Sequence, residues 1–412
     1  MTTDAIIIGT GPAGTYLARE LQRAGRHVTV LERGENHAFS DNSLTQVPML
    51  GMVFTDGIQS IMRGVTVGGS SMLYFGSVIS PPYAMFEKRG VNLKSSEAAI
   101  RSEVPNAPLP EALLSEQALH LMRAARSLNY DWQPLTKFIY QEQLQPGSHR
   151  PTARYNARLP LGEATAAGAT LITGARAERI LYENGKATGV SYRKSGKKEI
   201  LSAPLVISAA GGIGSASLFR QSGLAVSEGF FCDPLVAVLG ASDDFKQTYE
   251  PLPMLAGTLD AENGIMLTDM PLPWPIFTAF ALQTLRPDLL FNRDKTLMVM
   301  VKVRDELAGN IYGEDKVRRK LTENDQRLVK LGTDRAADVL KAAGVKKVSI
   351  SAVTSAHPGG SIRLGDRLDA NLETEVKGLY VCDASVIPEA FGLPPTLTLL
   401  SLAHRLAGHL NK

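Results

Sequence analysis

The sequence has few of the features that mark disulfide-rich, metal-binding, nucleic-acid-binding or membrane proteins. Its 412 residues contain only two cysteines, Cys232 and Cys382, which excludes a disulfide framework and a cysteine metal centre and favours a reducing cytoplasm. Lys and Arg number 44 against 41 Asp and Glu, so no basic surface for nucleic acid is expected. The longest apolar stretch, 276–285, is too short for a transmembrane segment, and no secretory leader precedes the first strand. We therefore expect a soluble cytoplasmic protein that binds neither metal nor nucleic acid.

The first forty residues have the order of a dinucleotide-binding unit. An apolar strand at 4–8 leads into a glycine loop, an amphipathic helix, and a second strand at 27–31 that ends in an acid. In such units the loop approaches a pyrophosphate at the helix N-terminus, and the acid binds ribose hydroxyls. The unit alone does not decide between FAD and NAD, and the alternative is a glycine loop without a cofactor. The predicted contacts are Gly9, Gly11, Pro12, Ala13, Gly14, Glu32 and Arg33.

A second glycine cluster lies at 63–71. It has no strand-to-helix transition, so it is better suited to passing close to a ring system than to holding phosphate. This favours FAD, and the alternative is a plain glycine turn. A third cluster at 209–215 lacks the glycine spacing of an NADPH site. The predicted cofactor contacts in the second cluster are Gly68, Gly69, Ser70 and Ser71.

His357 is the histidine whose neighbouring residues are most typical of a catalytic site. Pro358 and two glycines follow it, and the glycines allow a backbone to approach a flat ring. A short strand at 378–383 and a helix at 396–410 come next, and the prolines before this helix suit its first turn. The helix N-terminus would then face an electron-rich ligand edge. The alternative is a structural histidine in a glycine turn.

The middle of the chain predicts an inserted meander and a separate layer. Strands at 169–173, 177–182 and 187–193 form the meander, with Asn184 and Gly185 in a hairpin turn. A helix is expected at 115–128. Residues 229–347 suggest strands and loops with one clear helix, which begins after Thr322 and ends at Gly344. The methionines and aromatic residues of this layer are either core or a substrate wall.

The motifs together resemble the glucose-methanol-choline oxidoreductases, FAD enzymes that oxidise alcohols. The resemblance covers 9–14 with Glu32, 67–71, 209–222, and above all 357–365, 383–388 and 395–398. It implies that His357 takes the substrate hydroxyl proton while hydride passes to flavin N5. It also implies that the strand-end acid lies near the ribityl-phosphate part of FAD and that the last helix points at the pyrimidine edge. The implied cofactor contacts are Ala210, Gly211, Asp383, Ala384, Pro395 and Thr396.

Two departures from the family pattern affect the predicted site. Pro394 occupies the position where relatives carry a second hydrogen-bonding Asn or His, and Tyr74 occupies that of an asparagine. We assign Tyr74 a catalytic role beside His357. Because no histidine stands near Tyr74 to carry a covalent flavin, non-covalent FAD is expected. The chain is short for the family, so its pocket is either more open or completed by a partner subunit or a second copy.

The expected fold is α/β, with a Rossmann-like FAD-binding domain that contains the meander and a smaller α+β substrate-binding domain. The leading function is oxidation of an alcohol. The alternatives are a flavin-containing lyase without redox chemistry and a flavin-bound subunit that acts only in a complex. The sequence leaves open whether electrons pass to oxygen, a quinone or a carrier protein. The predicted divisions are 1–84, 151–228 and 348–412 for the FAD-binding domain, 85–150 for a cap segment, and 229–347 for the substrate-binding domain.

Overall fold

A parallel sheet of five strands carries the first glycine loop. The structure is a computed structural model that describes residues 3–56, 59–144, 150–248 and 252–412. All residues of the three inner strands are buried, as expected for a parallel sheet with helices on both faces. The Rossmann-like prediction is thereby confirmed. In spatial order the strands are Leu379–Val381, Leu205–Ser208, Ala5–Ile8, Val28–Leu31 and Thr170–Ile172.

The meander is an antiparallel sheet of three strands, which are Ala175–Glu183, Lys186–Lys194 and Lys197–Ser202. Asn184 and Gly185 have φ values of 50° and 73°, as a two-residue hairpin turn requires, so the hairpin is confirmed. The assignment of 169–173 to the meander is wrong. Thr170–Ile172 follows a helix and pairs in parallel with Val28–Leu31, because a crossover connection returns a strand parallel to its neighbour.

The second large sheet is mixed. It draws strands from 50–64 and 133–134 as well as from 234–355, and the domain boundaries stay a prediction. In spatial order its strands are Asn310–Gly313, Lys316–Arg318, Leu50–Thr55, Gln59–Gly64, Thr354–Ser355, Pro234–Ala241, Thr296–Val303, Ile265–Asp269, Ala256–Asp260 and Gln133–Pro134, with Ser349–Ile350 also beside Pro234–Ala241. A separate pair joins Ala107–Pro108 to Thr136–Lys137.

The helices cover both sheets. Thr322 and Asp325 form the expected capping box, and Ser115 caps the expected helix at 115–128. The expectation of only one clear helix in 229–347 is wrong, because Trp274–Gln283 is also helical, with Pro275 in its first turn. Among the described helices none is long and apolar enough to cross a bilayer. The α-helices are Pro12–Arg23, Tyr83–Glu87, Lys94–Glu103, Glu116–Ser127, Arg158–Ala166, Gly211–Gln221, Trp274–Gln283, Asp288–Phe291, Glu323–Ala342 and Thr396–Leu410.

The strand Thr296–Val303 separates two apolar cores of the mixed sheet. Alternate side chains such as Val299 and Val301 pack into one core, which the helix Glu323–Ala342 also lines. Met298 and Met300 point to the opposite face and join the other core. The next residue on that second face is Lys302, which brings a charged group to the candidate site.

Candidate active site

The first glycine loop leaves open space at the start of a helix. Gly11 is the N-cap of Pro12–Arg23 and offers no side-chain cap, so the first N–H groups of the helix, including that of Ala13, need another acceptor. A Cβ on Gly11 would meet nothing within 4 Å, whereas one on Gly14 would collide with the carbonyl of Gly9. Gly9 and Gly14 thus allow strand and helix to pack closely, and Gly11 faces the space where a phosphate could bind.

Glu32 forms hydrogen bonds with the first glycine loop and with the turn that follows its own strand. Its carboxylate accepts hydrogen bonds from Thr10 N at 3.1 Å, from Thr10 Oγ1 at 2.6 Å and from Gly34 N at 2.7 Å. Burial raises the pKa of Glu32, and these hydrogen bonds oppose the rise. Arg33 pairs with Glu314, with 2.5 Å between Nη1 and Oε2. The contacts of Glu32 and Arg33 with a cofactor stay predictions.

The second glycine cluster packs on the first. A Cβ on Gly69 would lie 3.1 Å from Gly11 Cα, and Gly68 N donates to Thr10 Oγ1 at 3.0 Å. Ser71 Oγ accepts from Ala157 N at 2.9 Å and donates to Gly68 O at 2.7 Å. The fold therefore brings together two glycine clusters that lie about fifty residues apart in the chain. Within the second cluster, Ser70 Oγ accepts from Gly64 N at 2.9 Å.

Asp383 joins the end of its strand to the helix Gly211–Gln221. Its Oδ2 accepts from Gly211 N at 2.8 Å and from Ser215 Oγ at 2.5 Å, and its Oδ1 accepts from the backbone and hydroxyl of Ser385. Ala210 is the N-cap of this helix, and a Cβ on Gly211 would meet nothing within 4 Å. The acid thus holds a second helix start beside open space.

The histidine loop lies against this helix start. A Cβ on Gly212 would collide with the carbonyl of Pro358, and a Cβ on Gly359 would lie 2.6 Å from Ala384 O. Gly360 N donates to Ala384 O at 3.0 Å. Backbone contacts therefore carry His357 to the segments that hold Gly211 and Asp383.

The last helix is the third at the candidate site whose N-terminus has no side-chain cap. Thr396–Leu410 follows Pro395, which provides no side-chain hydrogen bond to the first turn. Thr398 Oγ1 is buried and has no hydrogen-bond partner among the described residues. A buried hydroxyl without a partner is costly, so a ligand group that bonds to it would relieve this cost.

His357 has its two ring nitrogens in different environments. Nδ1 lies 2.7 Å from Lys302 Nζ and 3.1 Å from Asp233 Oδ2. Nε2 has no protein partner in the described part of the chain, and the side chain is 29% exposed. Burial and the charge of Lys302 lower the pKa of His357, against the opposing effect of Asp233.

Lys302 and Asp233 were missed by the sequence analysis. They form an ion pair, with 2.8 Å between Nζ and Oδ2, and each side chain is 2% exposed. Burial lowers the pKa of Lys302, while the nearby carboxylate opposes this effect. The signal in the sequence was a single lysine in the otherwise apolar strand Thr296–Val303, because an unpaired lysine is almost never fully buried.

A second buried ion cluster supports this pair from behind. Asp305 accepts from the backbone N–H groups of Cys232 and Asp233 at 2.9 and 3.1 Å. Arg319 lies 2.7 Å from Asp305 and 3.0 Å from Asp325, and all three side chains are fully buried. Burial, followed by the charge of Asp233, raises the pKa of Asp305 to about 6.

The hydroxyl of Tyr74 makes a hydrogen bond within the protein, in which it donates to the backbone carbonyl of Tyr155. Burial raises the pKa of Tyr74, and the guanidinium of Arg154 donates to its backbone carbonyl. The catalytic role of Tyr74 stays a prediction. Pro394 is buried and provides no side-chain hydrogen bond.

The assembled segments match one enzyme family over most of the chain. The family model for the N-terminal part of GMC oxidoreductases matches residues 3–237, and that for the C-terminal part matches 294–403. This chain belongs to the GMC oxidoreductases. The predicted family is therefore confirmed, and with it the oxidoreductase class.

The curated relatives include oxidases and a dehydrogenase. Long-chain-alcohol oxidase FAO4B of Arabidopsis thaliana is 24% identical, over 97% of this chain and 66% of its own length. The 2-methyl-1,2-propanediol dehydrogenase of Mycolicibacterium austroafricanum is 22% identical, over 100% of this chain and 95% of its own length. An uncharacterized protein of Methanocaldococcus jannaschii is 25% identical, with 98% of both chains covered. The chain thus spans less than the full length of the alcohol oxidase.

Solved structures share the fold. Pyridoxine 4-oxidase from Mesorbium loti superposes with a TM-score of 0.79 at 15% identity, over 99% of both chains. Formate oxidase from Aspergillus oryzae RIB40 gives a TM-score of 0.76 at 16% identity, over 99% of this chain and 97% of that chain. At these identities the likeness concerns the fold.

FAD is the cofactor that the family indicates, and the described residues fit it. A Cβ added to Gly11 or to Gly211 would meet no atom within 4 Å, so both glycines border open space. Pro12–Arg23 and Thr396–Leu410 both begin without a side-chain cap, and N–H groups at such starts suit phosphate and an electron-rich ring edge. Thr398 supplies a buried hydroxyl that lacks a protein partner.

Proposed function

We propose that the protein oxidises an alcohol with bound FAD and that His357 Nε2 accepts the hydroxyl proton. When bound, FAD supplies the hydride acceptor. The observation that carries the proposal is the position of His357, whose partly exposed ring stands beside the assembled glycine segments with Nδ1 held by protein and Nε2 free of it. An alcohol gives up hydride readily only as its alkoxide develops, so a base must reach the hydroxyl.

The charges around His357 support this role. A base must be unprotonated at the working pH, and burial together with Lys302 lowers the pKa of the ring. Both effects favour the neutral imidazole over the imidazolium. Asp233 limits this effect and keeps the ring able to bind a proton during the reaction.

We further propose that the substrate is an alcohol with an apolar body. Ala356 and Leu393, which adjoin His357 and Pro394 in the chain, pack against the apolar core that contains Met300. Burial of a hydrocarbon substituent against an apolar surface favours binding by about 0.8 kcal/mol for each CH₂ group.

An anaerobic titration tests both proposals. The holoenzyme is mixed with primary, secondary and sugar alcohols, and the visible flavin absorbance is followed. Bleaching by apolar alcohols is the expected result, and readmission of air then separates an oxidase from a dehydrogenase. A flavin that every alcohol leaves oxidised would remove alcohol oxidation and favour the lyase or the subunit that acts in a complex.

A further inference from the structure

Lys302 makes two short contacts with charged or polar partners behind the proposed base. Its Nζ lies 2.7 Å from His357 Nδ1 and 2.8 Å from Asp233 Oδ2. An ammonium group carries donors only, so Lys302 in its charged form donates to both atoms. Nδ1 must then be the acceptor, and the single proton of a neutral imidazole must stand on Nε2.

This arrangement conflicts with the needs of a base. A ring with its proton on Nε2 donates to the substrate oxygen and cannot accept the hydroxyl proton there. The contact of 3.1 Å between His357 Nδ1 and Asp233 Oδ2 offers the alternative, in which Nδ1–H donates to the carboxylate. The two arrangements exclude each other, because Nδ1 cannot donate and accept at once.

We propose that Lys302 is a positioning residue that switches the tautomer of His357. In the charged state Lys302 donates to Nδ1 and keeps the proton on Nε2. In the switched state the ammonium passes one proton to Nδ1 and the ring releases the Nε2 proton to solvent. The net change is the loss of one proton, and it leaves a neutral amine, Nδ1–H donating to Asp233, and a free Nε2.

The free Nε2 then serves the proposed reaction. It accepts the hydroxyl proton of the alcohol as the carbinol hydride leaves to FAD, and Nδ1–H of the resulting imidazolium can pass its proton back to Lys302. Atoms and charge balance, because the alcohol loses one hydride and one proton. The part of the switch in alcohol oxidation rests on the proposed function, whereas the change of tautomer itself does not.

The surroundings of Lys302 favour loss of its proton. Burial lowers the pKa of Lys302 from its ordinary range, which makes loss of its proton easier. The ionisable groups packed around the pair are Asp233 and Asp305 with Arg319 behind them, and the buried thiol of Cys232, whose pKa burial raises. Asp325 pairs with Arg319 on the far side. Burial is thus the cause of the lowered pKa of Lys302, and the charges of Asp233 and Asp305 oppose it.

The first test reads the tautomer directly. Holoenzyme with ¹⁵N-labelled histidine is studied by NMR at pH 7, where couplings between ring nitrogens and carbon-bound protons identify the protonated nitrogen, and the His357→Asn spectrum assigns the signals. We expect Nε2–H in the wild type and a proton on Nδ1 in Lys302→Met, because only Asp233 then faces Nδ1. A wild-type ring protonated on Nδ1, or the same tautomer in both proteins, would overturn the proposal.

A second test needs no variant at the site and so does not depend on how Lys302→Met folds. The wild-type holoenzyme is titrated towards alkaline pH, and the His357 signals should change from Nε2–H to Nδ1–H over the range in which the protein stays folded. Persistence of Nε2–H throughout that range would overturn the switch. The exposed Lys295→Met is the matched control and should leave both the tautomer and its pH dependence unchanged.

Flavin reduction gives the functional outcome. In the wild type the rate should rise with pH as Lys302 loses its proton. In Lys302→Met the rise should occur at least about one pH unit lower, because it then follows the imidazole instead of the ammonium, and histidine ordinarily titrates well below lysine. An identical pH profile contradicts the role of Lys302. If the tautomer switches but no alcohol reduces the flavin, the proposed function fails and the switch stands.

Discussion

Asp233 and His357 both have left-handed backbone conformations, and their side chains meet. Their φ values are 44° and 54°, and 3.1 Å separates Asp233 Oδ2 from His357 Nδ1. Such conformations cost non-glycine residues about 1–3 kcal/mol each and persist where the surroundings fix them. Lys302 binds both side chains, and Asp305 accepts from the backbone of Asp233. The strain is therefore found at the proposed base and its ion pair.

Removal of the base should affect chemistry and spare cofactor binding. His357→Asn is the suitable variant, because asparagine tolerates the left-handed backbone better than alanine. It should retain FAD and slow flavin reduction by an alcohol about 10²–10⁴-fold, the usual contribution of a general base. Anaerobic stopped-flow absorbance measures the rate, and the ratio of flavin to protein absorbance measures FAD content.

The matched control for this variant is His120→Asn. His120 is also partly buried and bonds through its ring to Ala343 O at 3.1 Å, but it lies outside the candidate site. It should reduce flavin at the wild-type rate. A His357→Asn protein that keeps its flavin and its rate would remove His357 from the mechanism.

The open space above Gly11 predicts a variant that loses FAD without unfolding. Gly11 has φ −66° and ψ 175°, which alanine adopts freely, and the added Cβ would touch nothing in the protein. Gly11→Ala should therefore keep the thermal stability of the FAD-free chain and bind FAD at least tenfold more weakly. Gly162→Ala, which also meets no neighbour, should bind FAD normally. Equal FAD affinity in both variants would contradict the assigned phosphate position.

The carboxylate of Glu32 should matter to the loop and to the cofactor together. Glu32→Gln places an amide donor against the N–H groups of Thr10 or Gly34, so it should lower the free energy of unfolding by about 1–3 kcal/mol and weaken FAD retention. Urea unfolding and flavin content after dialysis measure the two effects. The exposed Glu183→Gln serves as the control. Full FAD retention by Glu32→Gln would count against a contact with ribose.

The buried cluster around Arg319 predicts a stability loss that depends on pH. Arg319→Met would leave Asp305 and Asp325 without their cation, which should lower the free energy of unfolding by about 3–5 kcal/mol at pH 8. The pKa of Asp305 is already raised to about 6 and should rise further. A raised carboxyl pKa means that the folded chain binds its proton more tightly than the unfolded chain, so stability is gained as pH falls.

The loss in Arg319→Met should accordingly be smaller at pH 5 than at pH 8, as measured by urea unfolding. Lys330→Met is the control, because Lys330 and Asp334 form an exposed pair and such pairs contribute little. A loss for Arg319→Met that is the same at both pH values would show that the carboxyls near Arg319 do not take up protons in the folded state.

Local patterns explain why much of the fold could be predicted. The glycine loop, the Asn184–Gly185 turn and the capping box at Thr322 each depend on a few neighbouring residues, and the structure confirms them. The strand Thr170–Ile172 could not be placed, because its partner is chosen by the crossover of the chain. Trp274–Gln283 was missed because the flanking prolines suggested loops, whereas a proline in the first turn favours a helix.

The chain segments that form the candidate site could be predicted from the sequence, but the buried ion pair of Asp233 and Lys302 could not. Gly11, Gly211 and His357 carry family motifs, so their segments could be named from the sequence. Asp233 and Lys302 belong to no such motif, and they are sixty-nine positions apart in the chain. Their pairing depends on the antiparallel register of Pro234–Ala241 with Thr296–Val303, which a single sequence does not reveal.

Hydride transfer from an alcohol to the flavin is the central claim. The most direct measurement compares anaerobic flavin reduction by an apolar primary alcohol with reduction by the same alcohol deuterated at the carbinol carbon. We predict that the alcohol bleaches the flavin, that deuteration slows the bleaching, and that His357→Asn slows it with either alcohol. A flavin-loaded protein that stays oxidised with every alcohol tested would contradict the account.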